Sequence, residues 1–238
     1  MSKIVFDIET AGEDFEKMDD FTKEFLEKKA KLKVGDGNDD EVAKEMEKTK
    51  DSLVFSPLTG QIVAIGVLDV EQKKGAVYYQ TKDSDNAERE EGGVKLKPMT
   101  EKEMLKKFWE VTERATEMIS FNGRGFDAPY LMIRSAIHKI RPTRDLLSNR
   151  YLSLQRGLKH IDLMDQLNFY GATWGKINLH LACRAFGIKT PKDEGVEGDD
   201  VTRLFAEGKY LDIARYNARD LFSTAELYRY WDKYLRFQ

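Results

Sequence analysis

Cysteine is almost absent from this sequence, because the 238 residues include a single one, Cys183. An internal disulfide needs two cysteines, so a disulfide-stapled scaffold is excluded and a reducing compartment is favoured. The three histidines, His138, His160 and His180, are scattered, and no Cys/His spacing is typical of a zinc site. Any metal chemistry therefore has to rest on oxygen ligands.

Long apolar runs are missing as well. No stretch approaches the roughly 18 consecutive apolar residues of a membrane-spanning helix. A first strand is predicted from residue 3, which leaves no room for a signal peptide before it. We therefore expect a cytoplasmic protein with no membrane partner.

Neither positive nor negative charge dominates the chain. Its 39 Lys and Arg face 42 Asp and Glu, which leaves a net charge of -3, so overall electrostatics do not indicate a nucleic-acid binder. Hydrophobic residues make up 41% of the sequence, which is enough to build a core. The length allows one large domain or two small ones.

The apolar residues that are present follow the pattern of an α/β protein. KIVFDI, residues 3–8, predicts a central strand, and EMISFNG predicts another. QIVAIGVLDV and GAVYYQTK predict a hairpin joined through EQKKG. Helices are predicted over residues 101–117, FDAPYLMIRSAIHKI, INLHLACRAFGI and the long YLDIARYNARDLFSTAELYRYWDKYL. Strands come first and helices alternate later, which favours a mixed sheet.

Two polar segments interrupt this pattern. Residues 13–51 are densely charged, but Phe15, Met18, Phe21 and Phe25 recur at near-helical spacing and GDGNDD breaks the segment in two. We expect a pair of amphipathic helices packed on the main domain, with a partly mobile lid as the alternative. Residues 83–98 contain EREEGG and predict a surface loop.

Two carboxylates occupy the end of the first predicted strand. Asp7 and Glu9 are two residues apart, so on a strand they project from the same face. Their charges repel each other unless a cation lies between them, and hard divalent ions prefer oxygen ligands. The alternative is that both are ordinary loop carboxylates just past the strand.

Two further motifs carry carboxylates. In SFNGRGFDAPYL, Asp127 follows Asn122 where a helix begins, and with Pro129 it also fits an ordinary helix N-cap. In YNARD, Tyr216 and Asp220 are four residues apart and share a helix face, which also arises by chance on an amphipathic helix.

Together and in this order, DIET, NGRGFD and YNARD resemble the three motifs of the DEDD family of 3′→5′ exonucleases. The Tyr four residues before the last Asp is typical of the DEDDy branch, whereas the sister branch has a His where this chain has Arg215. The chain is similar to the proofreading exonuclease domain of family B DNA polymerases. That resemblance implies a ribonuclease H-like α/β fold, with a mixed central sheet flanked by helices. It also implies one exonuclease domain over residues 1–238, with residues 13–51 a helical insertion after the first strand.

The resemblance also implies a catalytic arrangement with two divalent ions, Mg²⁺ or Mn²⁺. By similarity, Asp7 bridges both ions, Glu9 and Asp220 bind the ion that carries the attacking water, and Asp127 holds the second. Tyr216 orients the water, because a phenol of pKa about 10 is a poor base near neutrality. The implied substrate is the 3′ end of single-stranded nucleic acid, DNA rather than RNA. The implied products are nucleoside 5′-monophosphates.

Residues for substrate binding are less distinct. Between residues 134 and 160, seven cations face the single acid Asp145 and predict a phosphate-binding track, with a solvated basic loop as the alternative. Candidate contacts to nucleic acid are Thr10, Asn122, Phe126, Arg141, Arg144 and Arg150. Asp162, in HIDLMD, is a candidate for supporting the metal ligands from behind.

Two other functions remain open at this point. The first is a ribonuclease H-like endonuclease, against which the Tyr216 motif argues, because the Tyr belongs to the exonuclease branch. The second is a non-catalytic nucleic-acid-binding module on the same fold. Retention of all four acids argues against it, since loss of metal ligands is expected first in a degenerate enzyme.

Overall fold

A mixed β-sheet forms the centre of the molecule. The computed structural model describes residues 2–35, 37–82, 87–173, 175, 177–189 and 200–237. Within these residues the strands are β1 (Ser2–Gly12), β2 (Gly60–Asp69), β3 (Lys74–Tyr79), β4 (Arg89–Glu91), β5 (Val94–Pro98), β6 (Ala115–Ser120) and β7 (Lys159–Asp162). Their order in the sheet is β4-β5-β3-β2-β1-β6-β7. The pairs β1–β2, β2–β3 and β4–β5 are antiparallel, and the other three pairs are parallel.

Helices cover both faces of this sheet, which confirms the predicted α/β class. The long C-terminal helix packs on one face, and two helices from the middle of the chain pack on the other. The helices are α1 (Asp20–Val34), α2 (Asp39–Asp51), α3 (Glu101–Thr112), α4 (Asp127–Ile137), α5 (Leu163–Leu167), α6 (Leu179–Ala185), α7 (Val201–Ala206) and α8 (Tyr210–Tyr234).

Strand β1 separates two hydrophobic cores. Val5 and Ala11 belong to the core beneath α8. Phe6 and Ile8 belong to the core beneath α3 and α4. Successive side chains of a strand point to opposite faces, so the odd-numbered residues of β1 face α8. Asp7 and Glu9 therefore project toward α8, between the apolar residues Val5 and Ala11 of the same face.

β1 is longer than the sequence predicted. The strand was expected over residues 3–8 but continues through Gly12, paired with β2 throughout. Asp7 and Glu9 thus lie inside the strand, and their interpretation as loop carboxylates past its end is wrong. The register shifts between Glu9 and Thr10, where the paired residues on β2 change from Ala64 to Ile62. Such an irregularity bends a strand and re-aims the side chains beside it.

The insertion forms the predicted pair of helices. Gly35, at a φ of 66°, ends α1, and Asn38 begins α2 in a capping box with Glu41. A 3₁₀ helix, Ser52–Phe55, leads back toward the sheet. The hydroxyl of Thr10 donates to the Val54 carbonyl at 3.2 Å, so the end of the insertion is tied to β1 beside Glu9.

Two predictions of secondary structure are wrong. The surface loop expected over residues 83–98 is a loop only in part: residues 83–86 lie outside the described residues, and β4 and β5 form a hairpin around Gly92 and Gly93. Both glycines have positive φ angles, which a tight hairpin turn requires. The helix expected over 101–117 ends at Thr112, because residues from Ala115 onward pair with β1 instead. The predicted β2–β3 hairpin is confirmed.

Within the described part of the chain, no helix has the length and apolar character needed to cross a bilayer.

Candidate active site

Three carboxylates meet between β1 and α8. One oxygen each of Asp7, Glu9 and Asp220 lie within 4.8 Å of one another. The strand period brings Asp7 and Glu9 to the same face, and the helix packed on that face supplies Asp220. The sequence-predicted ligands from the first and third motifs are therefore neighbours in space.

Mutual repulsion and burial disfavour the ionised forms of this cluster. Burial raises the pKa of Asp7 well above 3.8, and the charges of Asp127, Glu9 and Asp220 raise it further. Burial, and then the charge of Asp220, raise the pKa of Glu9 above 4.5. Burial also raises the pKa of Asp220 to about 7, although Tyr216 and Arg219 oppose this shift. Without a compensating cation, the cluster holds protons that isolated carboxyl groups release.

Asp127 lies beside the three-carboxylate cluster and is fixed by the backbone of β1. Its Oδ1 accepts a hydrogen bond from the Ile8 N–H at 3.0 Å. The pairing of β6 with β1 extends only to Val5, so Asp127 occupies the side of β1 that β6 leaves free. The N-cap interpretation is wrong, because Phe126 is the N-cap residue and Asp127 is the first residue of α4. Burial raises the pKa of Asp127 to about 7.

Tyr216 lies one turn before Asp220 on the buried face of α8. Burial, followed by the charges of Asp220 and Glu9, raises its pKa above the ordinary 10.0. The phenol is therefore protonated near neutrality and can donate a hydrogen bond, but it cannot serve as a base.

Asn217 is a site residue that the sequence analysis missed. Its side chain is completely buried, and its Nδ2 donates to Asp7 Oδ2 at 2.7 Å. That hydrogen bond lowers the pKa of Asp7 and so opposes the effect of burial. The available signal was the buried stripe of α8, since residue 217 is three positions before Asp220 and shares its face.

Gly66 makes room for Asn217. It pairs with Asp7 on the neighbouring strand, and a Cβ at this position would collide with Asn217 Oδ1. The same Cβ would lie 2.7 Å from Leu221 Cδ1. A glycine is therefore needed here for α8 to approach the sheet closely enough to reach Asp7.

Asp162 organises the loop that precedes Asp127. Its two carboxylate oxygens accept hydrogen bonds from the N–H groups of Asn122 and Arg124, each at 2.9 Å. Asn122 adopts a φ of 62°, a conformation that asparagine tolerates better than most residues. The Arg124 guanidinium donates to the carbonyls of Leu146 and Ser148, which fixes the following loop. Asp162 thus orders the loop that leads to Asp127, and its charge also raises the pKa of Asp127. Its role in supporting the metal ligands stays a prediction.

The basic stretch contributes fewer free cations than its sequence predicted. Arg134 is buried and forms two hydrogen bonds with Glu101, at 2.8 and 2.7 Å, so it faces the core. Arg144 donates to the Ala115 carbonyl, and Arg150 forms a bidentate pair with Asp165. Arg141 is exposed. Arg134 therefore cannot contact a phosphate track, because it is buried against Glu101. The role of Arg141, Arg144 and Arg150 in binding nucleic acid stays a prediction.

A cavity of about 860 Å³ opens beside Glu9. Thr10 and Phe126, both candidate substrate contacts, line it. Its other wall comes from the insertion and the segment that follows it, including Phe15 and Phe55. The insertion therefore takes part in shaping the site.

The donor set is suited to a divalent cation. Among the described residues, no hydrogen-bond donor meets the buried Oδ1 of Asp220, which lies beside two other carboxylates. Such an atom is costly unless a cation meets it. Carboxylate oxygens are the ligands that Mg²⁺ and Mn²⁺ prefer, so Asp7, Glu9 and Asp220 can hold such an ion.

The fold is similar to that of part of a solved DNA polymerase. A structure of the family B DNA polymerase from the hyperthermophilic archaeon Pyrobaculum calidifontis matches 97% of this chain with a TM-score of 0.59 and 16% identity. The match covers 24% of the polymerase chain, so the present chain spans about a quarter of that protein's length. This likeness concerns the fold, and it agrees with the predicted ribonuclease H-like α/β fold.

The sequence defines the family more narrowly. The family described as "Predicted 3'-5' exonuclease related to the exonuclease domain of PolB" matches residues 57–238. The chain belongs to this family, and the predicted relationship to the exonuclease domain of family B polymerases is confirmed. No curated protein matches the chain.

Proposed function

We propose that this chain is a metal-dependent 3′→5′ exonuclease that removes nucleoside 5′-monophosphates from single-stranded nucleic acid, with DNA as the preferred substrate. The observation that carries the proposal is the group of three carboxylates, one of which has a buried oxygen that no other described residue meets with a hydrogen bond. Family membership supports the reaction class. The described residues of 1–238 share one central sheet, which supports a single exonuclease domain with residues 13–51 as an insertion.

The site would use two divalent cations, Mg²⁺ or Mn²⁺, held by Asp7, Glu9 and Asp220, with Asp127 beside them. When bound, they would lower the pKa of the attacking water and stabilise charge on the phosphate and the leaving 3′-oxygen. The chain's own groups provide the orientation. Asn217 fixes the Asp7 carboxylate through its hydrogen bond, and the Ile8 N–H fixes that of Asp127.

Tyr216 would orient the attacking water by hydrogen bonding. Its raised pKa supports the role of a neutral donor and argues against the role of a general base. Tyr216→Phe should consequently slow hydrolysis without abolishing it.

The proposal is tested with single-stranded oligonucleotides labelled at the 5′ end or internally, incubated with Mg²⁺, with Mn²⁺ or with chelator. A ladder that shortens from the 3′ end, seen only with metal, is the expected result. Internal cuts would instead support a ribonuclease H-like endonuclease. Binding without any cleavage would identify a non-catalytic module. Matched DNA and RNA strands determine the preferred sugar.

Asp7→Asn removes one charge from the cluster with little change in shape. We expect cleavage to be abolished because the shared metal ligand is lost. In chelator the variant should be more stable by on the order of 1 kcal/mol, since less repulsion and desolvation remain. This corresponds to a rise of about 2–4 °C in Tm.

Glu47→Gln is the matched control, because it removes a charge from the exposed surface of α2. Its cleavage rate and Tm should equal those of the parent. If Asp7→Asn degrades DNA as fast as the parent, the assignment of the metal ligands is wrong.

A further inference from the structure

Helix α1 presents an apolar stripe to solvent. Phe21, Phe25 and Leu32 are 80%, 60% and 74% exposed. The spacing of these residues places them on one face of the helix, and the exposed Lys28 falls between them on the same face. Large apolar side chains aligned in this way indicate a surface that contacts another molecule.

The opposite face of α1 attaches the helix to its own chain. Leu26 and Ala30 are buried there. Lys33 donates to the Glu45 carboxylate of α2 at 2.9 Å, which joins the two helices of the insertion. These contacts hold α1 in place without the stripe, so the stripe is left on the surface of the single chain.

The charged residues of α1 are unevenly divided between its two halves. Its three acids, Asp20, Glu24 and Glu27, all precede residue 28, whereas four of its five lysines lie from residue 28 onward. Two copies of such a helix attract each other when they run antiparallel, because each acidic half then faces a basic half. A parallel pair would place like charges together. The charge pattern of α1 is therefore complementary to itself in one orientation.

One antiparallel register also matches the apolar residues. It places Phe21 opposite Leu32 of the second copy, and Phe25 opposite Lys28 of the second copy. The methylene stem of Lys28 can then cover the Phe25 ring, with its ammonium group over the ring face. A twofold axis generates each of these contacts twice, so the whole stripe is covered.

The same register brings unlike charges together beside the stripe. Glu24 then lies opposite Lys31 of the second copy, in the flanking positions that carry ion pairs between paired helices. Both residues are exposed, and neither forms an ion pair with another residue in the described part of the chain. Within one helix they are about 10 Å apart along the axis, which is too far for them to pair with each other.

We infer that this chain forms a twofold-symmetric dimer in which α1 of one copy packs antiparallel against α1 of the other. The inference goes beyond the proposed nuclease function and does not depend on it. With 15 residues, α1 is about 22 Å long, so the contact is small. The dimer therefore exchanges with the monomer, with a Kd on the order of 10 µM.

Sedimentation equilibrium over about a hundredfold range of protein concentration around that Kd tests the inference. The average mass of the parent should rise from the 27.5 kDa of one chain toward twice that value. Glu24→Lys and Lys31→Glu should each raise the Kd about tenfold, because each turns two attractive contacts into repulsive ones. The double variant restores the attraction with reversed signs, so its Kd should return to within about threefold of the parent's.

Glu27→Lys is the matched control for the charge changes. It makes the same substitution on α1 at an exposed position away from the stripe, so it should dimerise as the parent does. Leu32→Asp removes the apolar contact to Phe21 of the second copy and should remain monomeric at every concentration. Its Tm in dilute solution should equal that of the parent, since Leu32 is exposed in the single chain.

Three outcomes overturn the inference and leave the proposed nuclease function untouched. The first is a parent that stays at the mass of one chain throughout. The second is a Leu32→Asp variant that still dimerises as the parent does, which would place the contact elsewhere. The third is a double variant of Glu24 and Lys31 that associates no better than the single variants, which would rule out the antiparallel pairing of α1.

Discussion

Asn217 connects the two halves of the candidate site. It lies on α8, between Tyr216 and Asp220, and its amide holds a carboxylate of β1. Its Oδ1 is buried and finds no hydrogen-bond partner in the described part of the chain, so only the amide nitrogen of this side chain is satisfied there. A buried polar atom without a hydrogen bond lowers the stability of a fold, and here the same side chain orients the Asp7 carboxylate.

Asn217→Ala should weaken the binding of Mg²⁺ at the site without abolishing it. The Asp7 carboxyl group would stay in place but lose the donor that orients it and lowers its pKa. We expect cleavage to fall by about 10- to 100-fold and the Mg²⁺ concentration for half-maximal rate to rise. A Mg²⁺ titration of the initial rate measures both effects.

Ser223→Ala is the control for Asn217→Ala, because the Ser223 hydroxyl is on the same helix but donates to the Lys189 carbonyl. It should leave the Mg²⁺ dependence unchanged. An Asn217→Ala variant with a reduced rate but an unchanged Mg²⁺ dependence would contradict a role in orienting Asp7.

At the scale of elements, the close contact between α8 and β2 sets the geometry of the site. Gly66 is opposite Asp7 on β2 and directly beneath Asn217. A methyl group there separates the helix from the sheet, because Asn217 and Leu221 both occupy the space it needs. The spacing between the two elements therefore controls the distance between the two sets of ligands.

Gly66→Ala should destabilise the fold by about 1–3 kcal/mol, since it overpacks a filled interface. The double variant Gly66→Ala with Asn217→Ala should lose less stability than the sum of the single changes, because removal of the Asn217 amide frees the space. Urea unfolding of the four proteins measures this coupling. Strict additivity would show that the collision is relieved elsewhere.

Elements with a strong periodic pattern could be predicted from the sequence. The β2–β3 hairpin and the long α8 each carry a local signal of their own. The β4–β5 hairpin could not, because its strands consist mostly of charged residues and form through pairing with β3 at the sheet edge. The early end of α3 also depends on a remote partner, since Ala115 pairs with Ser2.

The residues of the candidate site also differ in whether the sequence predicts them. Asp7, Glu9 and Asp220 were expected together because their motifs resemble those of a known family, whereas the strand and helix periods indicate only the face on which each lies. Asp127 was predicted as a site residue, but the hydrogen bond that its carboxylate accepts from the Ile8 N–H depends on where β6 ends. Asn217 stands inside YNARD without being one of the motif's characteristic positions, and its role follows from packing between distant segments.

At the scale of the whole molecule, the carboxylate cluster makes the stability of the fold depend on pH. Asp127 and Asp220 have pKa values raised to about 7, compared with 3.8 in an unfolded chain. Between these values the folded state binds more protons than the unfolded state, so the cluster's contribution to stability falls as the pH rises. A divalent cation bound as proposed would offset the charge and remove this penalty.

The difference in Tm between Mg²⁺-loaded and chelated protein should therefore increase as the pH rises from about 4 to 7. His160 shifts stability the other way, because its burial lowers its pKa to about 4, but this contribution is common to both samples and cancels. Thermal unfolding across this pH range measures the difference. For the Asp7→Asn variant the difference should be smaller at every pH, and a pH-independent difference in the parent would contradict the argument.

The hydrogen bond between Asn217 and Asp7 joins residues 210 positions apart in the chain. Closing so large a loop is slow, because its entropy cost precedes any reward from the contact. We therefore expect the carboxylates to come together late in folding, when α8 docks on the sheet. A nascent chain that still lacks α8 cannot complete the three-carboxylate cluster, because Asp220 lies on that helix. If the proposed function holds, hydrolysis would begin only after α8 has docked.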